Sequence, residues 1–151
     1  MKKTILSIAI ILTLFSTAFA NHPDSYNKNA VASFQKDFKT ASEVSWAETN
    51  KYIIATFHMD KQTLYAYYDY QGNLLGLVHH ILTTSLPENL QKDIRKYYAK
   101  YWVSELFQIN TDEGTHYYIQ VRNADETLVL TTDGSFGWHI YTVRKNNTDK
   151  L

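Results

Sequence analysis

The side chains best able to do chemistry in this chain of 151 residues are imidazoles. His58, His80, His116 and His139 fall at strand positions whose alternation turns them to one side of a sheet, while His79 falls on the other side. Several neutral imidazoles on one face can hold a transition metal. No two histidines stand at i, i+2 or i, i+4, so scattered surface histidines are the preferred reading. A small-ligand or metal carrier or sensor using these four is the alternative. Asp69 and Asp133 recur beside Gly72 and Gly134, where an aspartate accepts from backbone amides, and they read as turn caps rather than as a catalytic pair. The chain has no H-E-x-x-H, no G-x-S-x-G and no glycine-rich phosphate loop. It has no cysteine, which excludes disulfides, thiolate nucleophiles, thiolate zinc sites and a lipid-anchored cysteine. No catalytic residues, no cofactor and no enzymatic activity are expected.

Tyrosine offers a different chemistry. There are 12 Tyr and 3 Trp, and the formal net charge is zero. A neutral chain lacks the basic face that phosphate-driven nucleic-acid binding needs, so no nucleic acid is expected. By strand parity Tyr65, Tyr67, Tyr118 and Tyr141, with Arg122 among them, point away from the helix-facing residues. A sheet face covered by nothing should turn polar, whereas this one stays aromatic. Tyr and Arg are enriched where proteins bind proteins. These five residues are therefore the candidate partner-binding surface, and the expected partner is a protein or peptide of the cell envelope.

The elements that position them begin after an address. Lys2 and Lys3, an apolar run over 5–15 and Ala18-Phe19-Ala20 read as a secretory signal peptide over residues 1–20. Its removal takes away two lysines and leaves 131 residues at net charge −2. No later apolar run is long enough to span a bilayer as a helix, so the protein is expected to be exported to the periplasm or beyond. Residues 21–29 form a leader, and 144–151 a polar tail.

Between them the chain compares with itself. Phe34-Gln35-Lys36-Asp37-Phe38 matches Leu90-Gln91-Lys92-Asp93-Ile94, and 54–69 aligns without gaps to 118–133. The apolar spacing predicts helices near 29–40 and from Ser85 onward, where Ser85 and Glu88 suggest a capping box. Alternation predicts strands near 44–47, 52–59, 64–70, 74–82, 102–110, 115–123, 126–132 and 136–143. Their links are too short for parallel crossovers. The expected fold class is α+β, with two tandem repeats (30–83 and 84–143). Each repeat has one helix and about four antiparallel strands, and the two share a large sheet with both helices on one face.

The ordered motifs Phe38-x-x-Ala41-x-x-Val44-x-Trp46, Tyr52-x-x-Ala55-x-Phe57, Asp69-x-x-Gly72-x-Leu74, Leu86-Pro87 and Asp133-Gly134 resemble the PepSY-like family, also called beta-lactamase-inhibitor-like. The resemblance covers nearly all of residues 30–143. It implies two tandem helix-plus-sheet repeats, a layout similar to a secreted beta-lactamase inhibitor, and no catalysis. Related modules restrain peptidases or sense conditions in the envelope. The family offers no catalytic or ligand residues to carry over.

Overall fold

Asn27 starts the first helix because its side-chain oxygen accepts hydrogen bonds from the amides of Asn29 (3.0 Å) and Ala30 (3.1 Å). The computed structural model describes residues 26–132 and 136–146. The signal-peptide reading and the Asp133-Gly134 turn therefore lie outside the described residues.

Helix α1 (Lys28–Asp37) is ten residues long, too short to hold itself in water. Ala30 and Phe34 anchor it by full burial. Strands β1 (Ser42–Glu48), β2 (Ile53–Met59), β3 (Gln62–Tyr68) and β4 (Leu74–His80) follow. A short 3-10 turn (Thr83–Ser85) leads to helix α2 (Glu88–Tyr97). Strands β5 (Trp102–Thr111), β6 (Gly114–Arg122), β7 (Glu126–Thr132) and β8 (His139–Lys145) complete the described elements. Among the described residues no helix is long and apolar enough to cross a membrane.

The chain divides into two compact units, one ending at Leu77 and the other beginning at Val78, inside β4. In the first unit, β1–β2 and β2–β3 pair antiparallel. Ile53, Ala55 and Phe57 of β2 and Leu64, Ala66 and Tyr68 of β3 form one core with Ala30, Phe34 and Trp46. Phe34 meets Phe57 edge-on at 4.9 Å and Trp46 at 5.3 Å, a favoured aromatic geometry. In the second unit, β5 to β8 pair antiparallel in succession. Leu86 and Leu90 pack on Leu106, Ile119, Val121, Leu128 and Leu130. The Trp138 indole nitrogen donates to the Leu90 carbonyl at 3.1 Å, tying β8's approach to α2.

The fold-class expectation is corrected by this architecture. The eight strands form one antiparallel sheet in the unbroken order β1 to β8, and among the described residues two ten-residue α-helices accompany them. The protein is mostly β, not an α+β pair of helix-plus-strand repeats. Recurring element types are weaker than sheet pairing as a guide. Short links let strands pair with their predecessors within each proposed repeat, and although the 3-10 turn and α2 stand between β4 and β5, those two strands are neighbours in the sheet as well. The capping box is corrected too. Ser85 closes the 3-10 turn, and Pro87 stands at the helix start with no side-chain cap. The Gln91 side-chain amide donates to the Leu86 carbonyl at 2.8 Å, which fixes the chain just ahead of the helix without capping its amides.

Candidate functional site: a sheet face with tyrosine and arginine

Opposed residues in an antiparallel pair send their side chains to the same face. Helix-facing Ile53, Ala55 and Phe57 leave Ile54, Thr56 and His58 on the far face of β2. Their partners Tyr67, Tyr65 and Thr63 share it. In the second unit, Ile119 and Val121 face α2, so His116, Tyr118, Gln120 and Arg122 share the far face with Ile109, Phe107, Glu105 and Trp102.

Exposure on that face is uneven. Tyr67 is 4% exposed and Tyr118 5%, so these two offer a partner almost nothing. Tyr67 lies opposite the buried Ile54 and meets Tyr52 edge-on at 6.3 Å. Burial, with the neighbouring Tyr65 adding to it, pushes the Tyr67 phenol well above its ordinary range. Tyr118 sits between Phe107 and Thr131 across the strands. Burial raises its phenol as well; the Thr131 hydroxyl opposes the rise and Tyr141 adds to it. Large side chains on adjacent strands shield one another here, which alternation alone does not report. Tyr65 is half-buried, opposite Thr56. Tyr141 is 43% exposed and lies in the stretch where the β7–β8 register shifts. Arg122 is exposed, and its guanidinium stands over the Trp102 ring at 5.4 Å. The structure thus sets Tyr141 near Tyr118 in the second unit, places Arg122 four residues further along β6 over Trp102, and sets Tyr65 beside Tyr67 in the first.

The histidines divide as their parity predicts but do not converge. His58 holds Glu43 at 3.4 Å through Nδ1 and the Thr63 hydroxyl at 3.1 Å through Nε2. His80 lies 3.5 Å from Glu105 and stacks on Phe107 at 4.0 Å. His116 is half-buried opposite Ile109, and His139 is exposed opposite Thr131. Among the described residues no three His, Cys, Asp or Glu side chains group as a metal would require. Asp69 caps its turn: its carboxylate accepts from the amides of Gln71 and Asn73, both at 2.9 Å, and from the Asn73 side chain at 2.8 Å. Burial works against ionisation there, but those donors prevail and hold the carboxyl below its ordinary value.

Two features escaped the sequence reading. Trp102, which is not among the five candidate surface residues, is 51% exposed. Arg144 was assigned to the tail, yet it belongs to β8 and is exposed. The signal that finds both is cross-strand register, which one strand's alternation does not carry.

No protein-family model matches the sequence, and no curated protein does either. Solved structures do match. The chain is similar to a DUF2874 family protein from Bacteroides uniformis (TM-score 0.70, 15% identity, covering 80% of this chain and 89% of that one). It is similar to a BLIP-like protein from Bacteroides fragilis (TM-score 0.65, 14% identity, covering 85% and 95%). It is also similar to a protein from Bacteroides eggerthii provisionally described as periplasmic (TM-score 0.69, 11% identity, covering 78% and 87%). Identity this low speaks to fold alone, and the fold it shows is BLIP-like rather than PepSY-like in particular.

Proposed function

We propose that this chain is an exported, non-enzymatic binding module of the PepSY-like type that recognises or restrains a protein or peptide in the cell envelope. The observation that carries this reading is the far face of the sheet. It exposes Tyr141 and Arg122 beside a floor made rigid by buried Tyr118 and Phe107. Tyrosine supplies large contact area at low entropic cost, and a rigid floor reduces what must be ordered on binding. Solved relatives in fold bear inhibitor-like and periplasmic descriptions, which fit an envelope role. In the first unit Tyr65 is the half-buried member of the candidate set, beside the buried Tyr67.

The test is affinity capture from the native envelope with wild type and with a Tyr65→Ala/Tyr141→Ala variant. Wild type is expected to retain a partner that the variant loses while melting at the same temperature. Identical sets of captured proteins from both would sink the reading.

A further inference from the structure

Register places two arginines and a tryptophan in one row. Trp102 lies opposite Arg122, Arg122 opposite Thr127, and Thr127 opposite Arg144, across β5, β6, β7 and β8. All four side chains therefore project from the far face. The chain has only three arginines among its 15 basic residues, and two of them share this row. Two strand spacings separate them, about 10 Å between Cα atoms.

Neither guanidinium has a carboxylate among the described residues. Arg122 meets only the Trp102 ring, and Arg144 has no ion pair. Two neighbouring acids are engaged elsewhere: Glu126 holds Lys145 at 2.8 Å and the Tyr101 hydroxyl at 2.6 Å, and Glu105 pairs with His80. A third, Asp125, acts on Lys145 and Tyr101 and among the described residues has no ion pair with either arginine. Thr127 donates to Asn146 and adds no negative charge. Among the described residues two forked cations thus stand in one row without an ion pair, with an exposed indole at one end.

From this we infer that the row Trp102–Arg122–Thr127–Arg144 is a clamp for an acidic segment of a partner protein. Guanidinium forks take carboxylates in paired hydrogen bonds, which lysines cannot reproduce. Trp102 orients the Arg122 fork by cation–π contact and offers an apolar wall to the segment's backbone. Tyr141, in the adjoining part of β8, extends that apolar contact. A nucleic acid or sulfated glycan is disfavoured, because a polyanion needs a continuous basic track and this row is short on a neutral chain. The inference rests on the binding-module reading and names its partner's chemistry.

The probe is a short synthetic peptide alternating glutamate with threonine, offered to the exported chain beside its glutamine counterpart. The glutamate peptide should bind saturably and roughly ten-fold more tightly than the glutamine one. That advantage should shrink between about 0.05 and 0.5 M salt. Arg122→Gln/Arg144→Gln should abolish it without moving the melting temperature, and Arg122→Lys/Arg144→Lys should retain part of it. Equal binding of the two peptides overturns the clamp. So does full binding by the glutamine variant, or retention of heparin or single-stranded DNA without the peptide. The two readings fail separately. If Arg122→Gln/Arg144→Gln still captures an envelope partner that Tyr65→Ala/Tyr141→Ala loses, the binding module stands and the acidic chemistry falls. If wild type captures nothing that the tyrosine variant loses, the module itself falls.

Discussion

The imidazole of His79 turns inward from β4, and its Nδ1 is buried with no hydrogen-bond partner among the described residues. Burial, with the charge of His80 adding to it, lowers its proton affinity below the ordinary value of 6.5. The folded protein therefore favours the neutral ring. Above pH 6.5 the ring is neutral folded or unfolded and stability is unaffected. As pH falls through 6.5 the unfolded chain takes the proton first, and stability declines. Denaturant midpoints at pH 8 and pH 5 should fall further for wild type than for His79→Leu; equal falls would refute a role for this ring. Gly72 is a second residue with a defined load. Its φ is +88°, and a Cβ there would lie 2.8 Å from the Asn29 carbonyl carbon and oxygen. Gly72→Ala combines an unfavourable backbone with a clash against the α1 entry, and should cost about 1–3 kcal/mol in equilibrium unfolding. Asp69 and Gly72 were recognisable as a turn pair from residue type, because local backbone chemistry governs both.

Among the elements, the β2–β3 hairpin is the clearest case of a local compromise. Its two-residue loop, Asp60-Lys61, has φ of +51° and +64°, and Met59 pairs with Gln62 across it. Such a turn matches strand twist but prefers Asn-Gly, since other residues pay for left-handed backbone. Asp60→Asn/Lys61→Gly should stabilise the protein by roughly 1 kcal/mol, read as a higher denaturant midpoint with unchanged slope. Helix α1 depends on its first hydrogen bonds and on Phe34. Asn27→Ala removes the cap to Asn29 and Ala30 and should cost about 1 kcal/mol. The Asn27 side-chain amide also donates to the Tyr70 carbonyl at 3.0 Å, so the loss should extend to the β3–β4 turn. Protection of that turn's amides in hydrogen exchange would show it directly.

For the whole molecule, export comes first. The charge, apolar run and small-residue site over residues 1–20 predict a mature chain beginning at Asn21. Intact mass of the exported protein should match 131 residues, and another first residue would correct the cleavage site. The elements were legible because strand alternation, the Asp69–Gly72 turn and the Phe34/Phe38 and Leu90/Ile94 spacings are short-range patterns. Fold class was less so. Two helices stood out by their periodicity, yet strand-to-strand hydrogen bonding joins β1 to β8 into one sheet, and that makes the protein mostly β. The candidate surface divides in the same way. Parity sets Tyr65, Tyr67, Tyr118 and Arg122 on the strand positions that alternate with the helix-facing side chains, because the side-chain period of a strand is two. It could not say that Tyr67 and Tyr118 are buried, or that Arg122 meets Trp102 and aligns with Arg144. Burial and alignment depend on neighbours in other strands, and register between strands is set by the assembled sheet, not by either strand alone.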